Sequence, residues 1–158
     1  MSQHGRDAGY TLIEVMVTIS LLGVLMAISV IGFDHWSAAS QQAGTAREVQ
    51  TLMRQAQQRA ITEGRAMCVS FDTSADSYTL YRGACDDTAK QKVNGPFETD
   101  GGQVQLEAPV FTGTSTPTGV TFFARGTATP GSVHVTSSAS TKVYILDVEG
   151  LTGRVSLG

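Results

Sequence analysis

Glu14 is the one charged residue between Tyr10 and Phe33, and a lone carboxylate in an apolar run needs an explanation. Near the edge of a membrane span such a group costs up to roughly 2.5–3.5 kcal/mol unless it reaches the interface, which marks it as a functional candidate. Two readings stand. Glu14 meets a cation on a neighbouring copy, and a charge-assisted hydrogen bond then fixes the axial register of two apolar helices. Alternatively, it snorkels to the membrane surface or offsets the positive end of its own helix. Just upstream, Ala8-Gly9 places small residues before the apolar segment, whereas a secretory signal places them after it. A cut after Gly9 would therefore leave the apolar segment attached.

Cys68 and Cys85 are the only cysteines, and they bracket the first predicted hairpin. In an exported domain they would oxidise and close a loop worth roughly 3 kcal/mol; the rival is a pair of free, partly buried thiols. With no histidine nearby, they do not make a zinc pattern. His4, His35 and His134 fit no triad or metal motif, and neither Asp86-Asp87 nor Asp147 with Glu149 has the dense oxygen-ligand spacing of a calcium loop. Those acids are expected on a solvated loop and a strand edge. No catalytic residue, no metal and no cofactor is expected.

The elements that must position these residues are legible from periodicity. From Tyr10 to Phe33 a helix would reach ~36 Å at ~1.5 Å per residue, enough to span a bilayer. From Asp34 to Glu63 the pattern turns amphipathic: Ala46, Val49, Met53, Ala56 and Ala60 follow 3,4,3,4 spacing, with Arg47, Glu48, Gln50, Arg54, Gln57, Gln58 and Arg59 expected towards water. No proline interrupts Tyr10–Glu63, so one helix of ~80 Å is allowed, ending at Gly64. A break into two helices near Gly32 is the alternative.

After Gly64 the pattern is β-rich. Strands are expected at 66–71, 77–81, 104–107, 119–124, 132–136, 142–148 and 153–157, linked by turns rich in Gly, Pro, Ser and Thr. The 158 residues leave room behind the helix for one modest core, giving an α+β chain with an antiparallel head. The formal charge is −3, and losing Met1–Gly9 removes Arg6 and Asp7 together, so it stays −3. No basic excess points to nucleic acid.

The run Gly9-Tyr10-Thr11-Leu12-Ile13-Glu14-Val15-Met16-Val17 resembles the processing site of type IV prepilins and type II secretion pseudopilins. The resemblance implies that residues 1–9 are a leader removed by a prepilin peptidase, that cleavage falls between Gly9 and Tyr10, and that Tyr10 becomes N-methylated. Glu14 would then be the fifth residue of the mature chain, paired with the Tyr10 amine of a neighbouring subunit. Residues 10–33 would cross the inner membrane once and enter a filament core, 34–63 would continue the helix, and 64–158 would form a head in the periplasm. Val15, Met16, Leu21, Leu22, Leu25, Ile28 and Ile31 would exchange lipid for other subunits, with packing rather than hydrophobic burial deciding assembly. Partners implied are other pilin or pseudopilin subunits, the peptidase and an inner-membrane assembly platform. Most members carry a proline in the later part of the apolar segment; this chain has Ile31-Gly32 there, and glycine weakens a helix by only ~1 kcal/mol relative to alanine.

The order of a long helix followed by strands ending in Thr152-Gly153-Arg154-Val155 resembles the minor subunits of the GspH and FimT type, as do Phe122-Phe123-Ala124-Arg125-Gly126 and Val143-Tyr144-Ile145-Leu146. The implied function is a non-enzymatic minor pilin or pseudopilin supporting secretion or pilus assembly. Some members of the FimT branch bind DNA through Gly-Arg-x-Arg. Here Gly153-Arg154-Val155-Ser156 lacks the second arginine and with it one phosphate contact, so DNA binding through Arg154 is the alternative.

Overall fold

The computed structural model describes residues 10–99, 102–113 and 115–158, without the side chains of 28–36 and 38. Two compact units divide between Trp36 and Ser37.

Helix α1 runs from Leu12 to Glu63. Thr11 opens it: the Glu14 amide donates to the Thr11 carbonyl at 3.0 Å and to its hydroxyl at 3.4 Å, satisfying a donor that the first turn leaves unpaired. Gly64 closes it at φ 64°, and the Arg65 amide reaches back to the Ala60 carbonyl at 3.2 Å, a Schellman end that needs a residue tolerant of left-handed backbone.

Eight strands follow: β1 (Met67–Asp72), β2 (Ser77–Arg82), β3 (Gln91–Glu98), β4 (Val104–Phe111), β5 (Gly119–Phe122), β6 (Gly131–Ser137), β7 (Ser140–Val148) and β8 (Val155–Leu157). They form two antiparallel sheets, ordered β3-β2-β1-β5 and β4-β6-β7-β8. Alternation places Met67, Val69 and Phe71 on the inner face of the first sheet and Val133, Val135, Leu146 and Val148 on that of the second. Both faces meet the helix stripe Ala46, Val49, Met53, Ala56 and Ala60, each fully buried, in one continuous core. Each large aliphatic side chain buried this way contributes about 1.5–3 kcal/mol. Phe71 of β1 stacks on Phe111 of β4 at 6.0 Å between centroids, joining the two sheets.

Most expected strands are present with shifted ends. The 104–107 strand extends to Phe111, 119–124 stops at Phe122, where Phe123–Gly126 turns, and 153–157 shrinks to β8. Strand β3 was not expected, because Asn94-Gly95-Pro96 reads as a turn. It sits at the sheet edge, where a residue lacking an N–H is tolerated, and its register with β2 is irregular beside Leu80.

Candidate assembly surfaces

In the first unit, the helix from Leu12 to Ala27 is exposed all round. Leu12 is 78% exposed, and Ile13, Met16, Ile19, Leu22, Leu25 and Met26 are also exposed. A contiguous apolar surface of this extent marks a site of contact with lipid or protein. Its hydroxyls do not interrupt it: Thr18 donates to the Val15 carbonyl at 2.9 Å and Ser20 to the Met16 carbonyl at 2.8 Å, so their polarity is turned inward on the helix. Of the expected packing residues, Val15, Met16, Leu21, Leu22 and Leu25 are on this surface, whereas the side chains of Ile28 and Ile31 lie outside the described residues, as does Gly9. Tyr10 is exposed at the start of the chain described, and Glu14 stands in the first helical turn without an ion pair among the described residues. Among the described residues no helix is long and apolar enough to cross a membrane. The expected span of 10–33 continues beyond Ala27 into undescribed side chains.

In the second unit, the helix is stitched to the head by side chains expected to face water. Gln50 Nε2 and an Arg54 guanidinium nitrogen each donate to the Val155 carbonyl at 3.3 Å, and Gln57 Nε2 donates to the Thr152 carbonyl at 2.9 Å and the Gly126 carbonyl at 3.3 Å. The physical reason is that β8 is an edge strand, whose outward carbonyl needs a donor, and long amide and guanidinium side chains beside the buried stripe supply it. Gln42, fully buried, likewise donates to the carbonyls of Val135 and Lys142 at 3.0 and 2.6 Å. Periodicity marks which residues are buried, and it is blind to these reaches.

Cys68 of β1 and Cys85, beyond β2, are joined by a disulfide whose Cα atoms are 5.0 Å apart. The Cys85 amide donates to Thr121 Oγ1 at 3.0 Å, and Gly119 packs so closely that a Cβ there would stand 2.8 Å from Cys85 Sγ. Asp72 organises the β1–β2 turn. Its carboxylate accepts from the Ser74 hydroxyl at 2.6 Å and from the amides of Ser74 and Ala75 at 3.0 and 3.2 Å. These bonds, led by the Ser74 hydroxyl, hold its carboxyl below the ordinary value.

The remaining polar candidates stand apart. His134 is half-buried in β6 between Val133 and Val135, Asp87 accepts from the Ala89 amide at 2.8 Å, and no three potential metal ligands cluster among the described residues. Arg154 lies 4.0 Å from Glu149, and both are largely exposed.

Three comparisons bear on this arrangement. The family model described as type II transport protein GspH matches residues 45–152, more than half of the chain, and the model of the prokaryotic N-terminal methylation motif matches residues 4–30. The fold is similar to that of the minor pseudopilin EpsH from the type 2 secretion system of Vibrio cholerae, at 17% identity and TM-score 0.58, covering 75% of this chain and 96% of that one. It is also similar to the type IV minor pilin FimU of Pseudomonas aeruginosa, at 16% identity and TM-score 0.59, covering 75% and 89%. Escherichia coli GspH superposes at 16% identity and TM-score 0.52, covering 75% and 88%.

Proposed function

The chain belongs to the GspH family of type II transport proteins, and from that premise we propose that it acts as a minor pseudopilin or pilin whose apolar helix enters a filament core. Members of this family are structural subunits that assemble with other pilin or pseudopilin subunits. DNA binding through Arg154 finds no support in the family match or the solved relatives.

The observation that carries the reading is the apolar surface from Leu12 to Met26, exposed all round and falling within the matched methylation motif. A helix with this surface is stable only against lipid or other apolar helices. In the proposed cycle, residues 10–33 anchor the chain once in the inner membrane with the head in the periplasm. A prepilin peptidase cuts between Gly9 and Tyr10 and methylates the new amine. The assembly platform then moves the subunit sideways into the filament. Because helix and lipid are similarly apolar, side-chain packing and the Glu14 pairing with a neighbour's Tyr10 amine select the register.

Glu14→Ala tests the register role. The head should keep its thermal unfolding midpoint, because Glu14 lies in the other compact unit, while recovery of the chain in sheared filaments should fall at least roughly tenfold, as for loss of one desolvated charge pair. Unchanged recovery would refute that role.

A further inference from the structure

Asn94 is the only asparagine in the 158 residues, and glycine follows it. That pair invites a specific reaction. The amide nitrogen after an asparagine can close a five-membered ring on the side-chain carbonyl carbon, and glycine alone puts no side chain in the way. In a regular strand the two groups do not meet, because side chains stand out of the sheet while the amides lie in it.

The strand is not regular at this point. β3 is an edge of the first sheet, and its pairing with β2 passes from Leu80 opposite Asn94 to Tyr78 opposite Phe97. Gly95 and Pro96 therefore stand against Thr79 alone, two residues against one, which is a bulge. Gly95 takes φ 101°, which a side chain would oppose: a Cβ there would lie 3.0 Å from the Tyr78 carbonyl oxygen and 3.2 Å from Thr79 Cα. The Gly95 amide is turned onto the preceding side chain and donates to Asn94 Oδ1 at 3.0 Å. A carbonyl bond is about 1.2 Å long, so that nitrogen lies within roughly 4.2 Å of Asn94 Cγ. Asn94 is exposed, which gives water access to the same carbon.

We propose that Asn94 and Gly95 form a modification site at which the folded chain converts asparagine to aspartate and isoaspartate, with water as the only other reactant. The Gly95 nitrogen gives up its proton to solvent base and bonds to Asn94 Cγ. The bond from Cγ to Nδ2 then breaks, and Nδ2 takes a proton from water and leaves as ammonia. The ring so formed is a succinimide. Water opens it at Cγ to give aspartate, or at the main-chain carbonyl to give isoaspartate, whose main chain runs through Cβ and Cγ. Water enters and ammonia leaves, with no change of oxidation state. Either product adds one negative charge to the formal −3. The isoaspartyl form also adds a main-chain carbon between the Leu80 pairing and Phe97, whose ring packs on Tyr78 at 5.5 Å, so this edge of the sheet loses its register. The chemistry is the same whether or not the chain enters a filament.

The test is intact mass and peptide mapping of the full chain in detergent, held folded at about pH 7 and about pH 9, with a urea-unfolded sample alongside. The folded chain should gain the mass difference between an amide and a carboxyl group, mapped to Asn94 and divided between aspartate and isoaspartate. The gain should be faster at the higher pH, because the attacking nitrogen must lose its proton. Its rate should fall within roughly tenfold of that of the unfolded chain, since the bulge already holds the nitrogen beside the carbon. Asn94→Gln, at an exposed position, should abolish the gain, because its side chain is one carbon too long for the five-membered ring. Conversion of the unfolded chain alone would overturn the proposal, because the fold then protects the site. So would a gain that persists in Asn94→Gln, which places it at another amide, or no gain in either state.

Discussion

Asp72 and Glu14 are both carboxylates, yet they stand in opposite situations. Asp72 accepts three hydrogen bonds inside its own turn and so has a structural purpose that is complete within the chain. Glu14 has no ion pair among the described residues, and under the proposed function it meets a neighbouring subunit's Tyr10 amine. Because folding lowers the Asp72 pKa, its contribution to stability is present above the ordinary carboxylate value of ~3.9 and is lost as the pH falls below it. Asp72→Asn should therefore lower head stability at neutral pH and flatten its decline between about pH 5 and pH 2, read from denaturant midpoints across that range. The two cysteines make a separate prediction. They close a loop across a sequence separation of 17, so Cys68→Ala with Cys85→Ala should cost roughly 3 kcal/mol in urea unfolding, with no comparable loss on adding reductant to the double variant. At this scale the sequence showed residue types plainly. The Glu14 carboxylate and the two cysteines stood out, whereas the role of Asp72 depends on a turn geometry that residue types alone do not specify.

The helix was the most legible element, because five apolar residues at 3,4,3,4 spacing left only one face to bury. Its end was legible too, in the left-handed exit at Gly64, whereas the cap at Thr11 was not read from the sequence, which started the helix at Tyr10. Strands with β-branched alternation, such as β6, were also visible. Strand β3 was not, because Asn94-Gly95-Pro96 carries turn signals, and only the position at the sheet edge makes that sequence compatible with pairing. The bonds from Gln50, Arg54 and Gln57 were invisible for a related reason: their acceptors are supplied by segments about 70 to 105 residues away. Met53 lies fully buried where both sheets meet the helix, so Met53→Ala should destabilise the head by roughly 2–5 kcal/mol in equilibrium unfolding. A loss below about 1 kcal/mol would mean that the helix stripe is not the keystone of the core.

For the whole molecule, the chain divides into two compact units at Trp36 and Ser37. The unit up to Trp36 carries the apolar helix surface, and the unit from Ser37 onward carries the hydrophobic core and the disulfide. Under the proposed function, the first unit is handed from membrane to filament while the head faces neighbouring subunits. That account requires the chain to mature at a single bond ahead of the apolar segment, because a free amine at Tyr10 is what Glu14 is proposed to meet. The decisive measurement is the intact mass and N-terminal sequence of the membrane-extracted chain, from cells with and without a prepilin peptidase. The account predicts that Met1–Gly9 is absent and that Tyr10 carries one methyl group only when the peptidase is present. A retained leader in both strains, or a cut after the apolar segment, would contradict it.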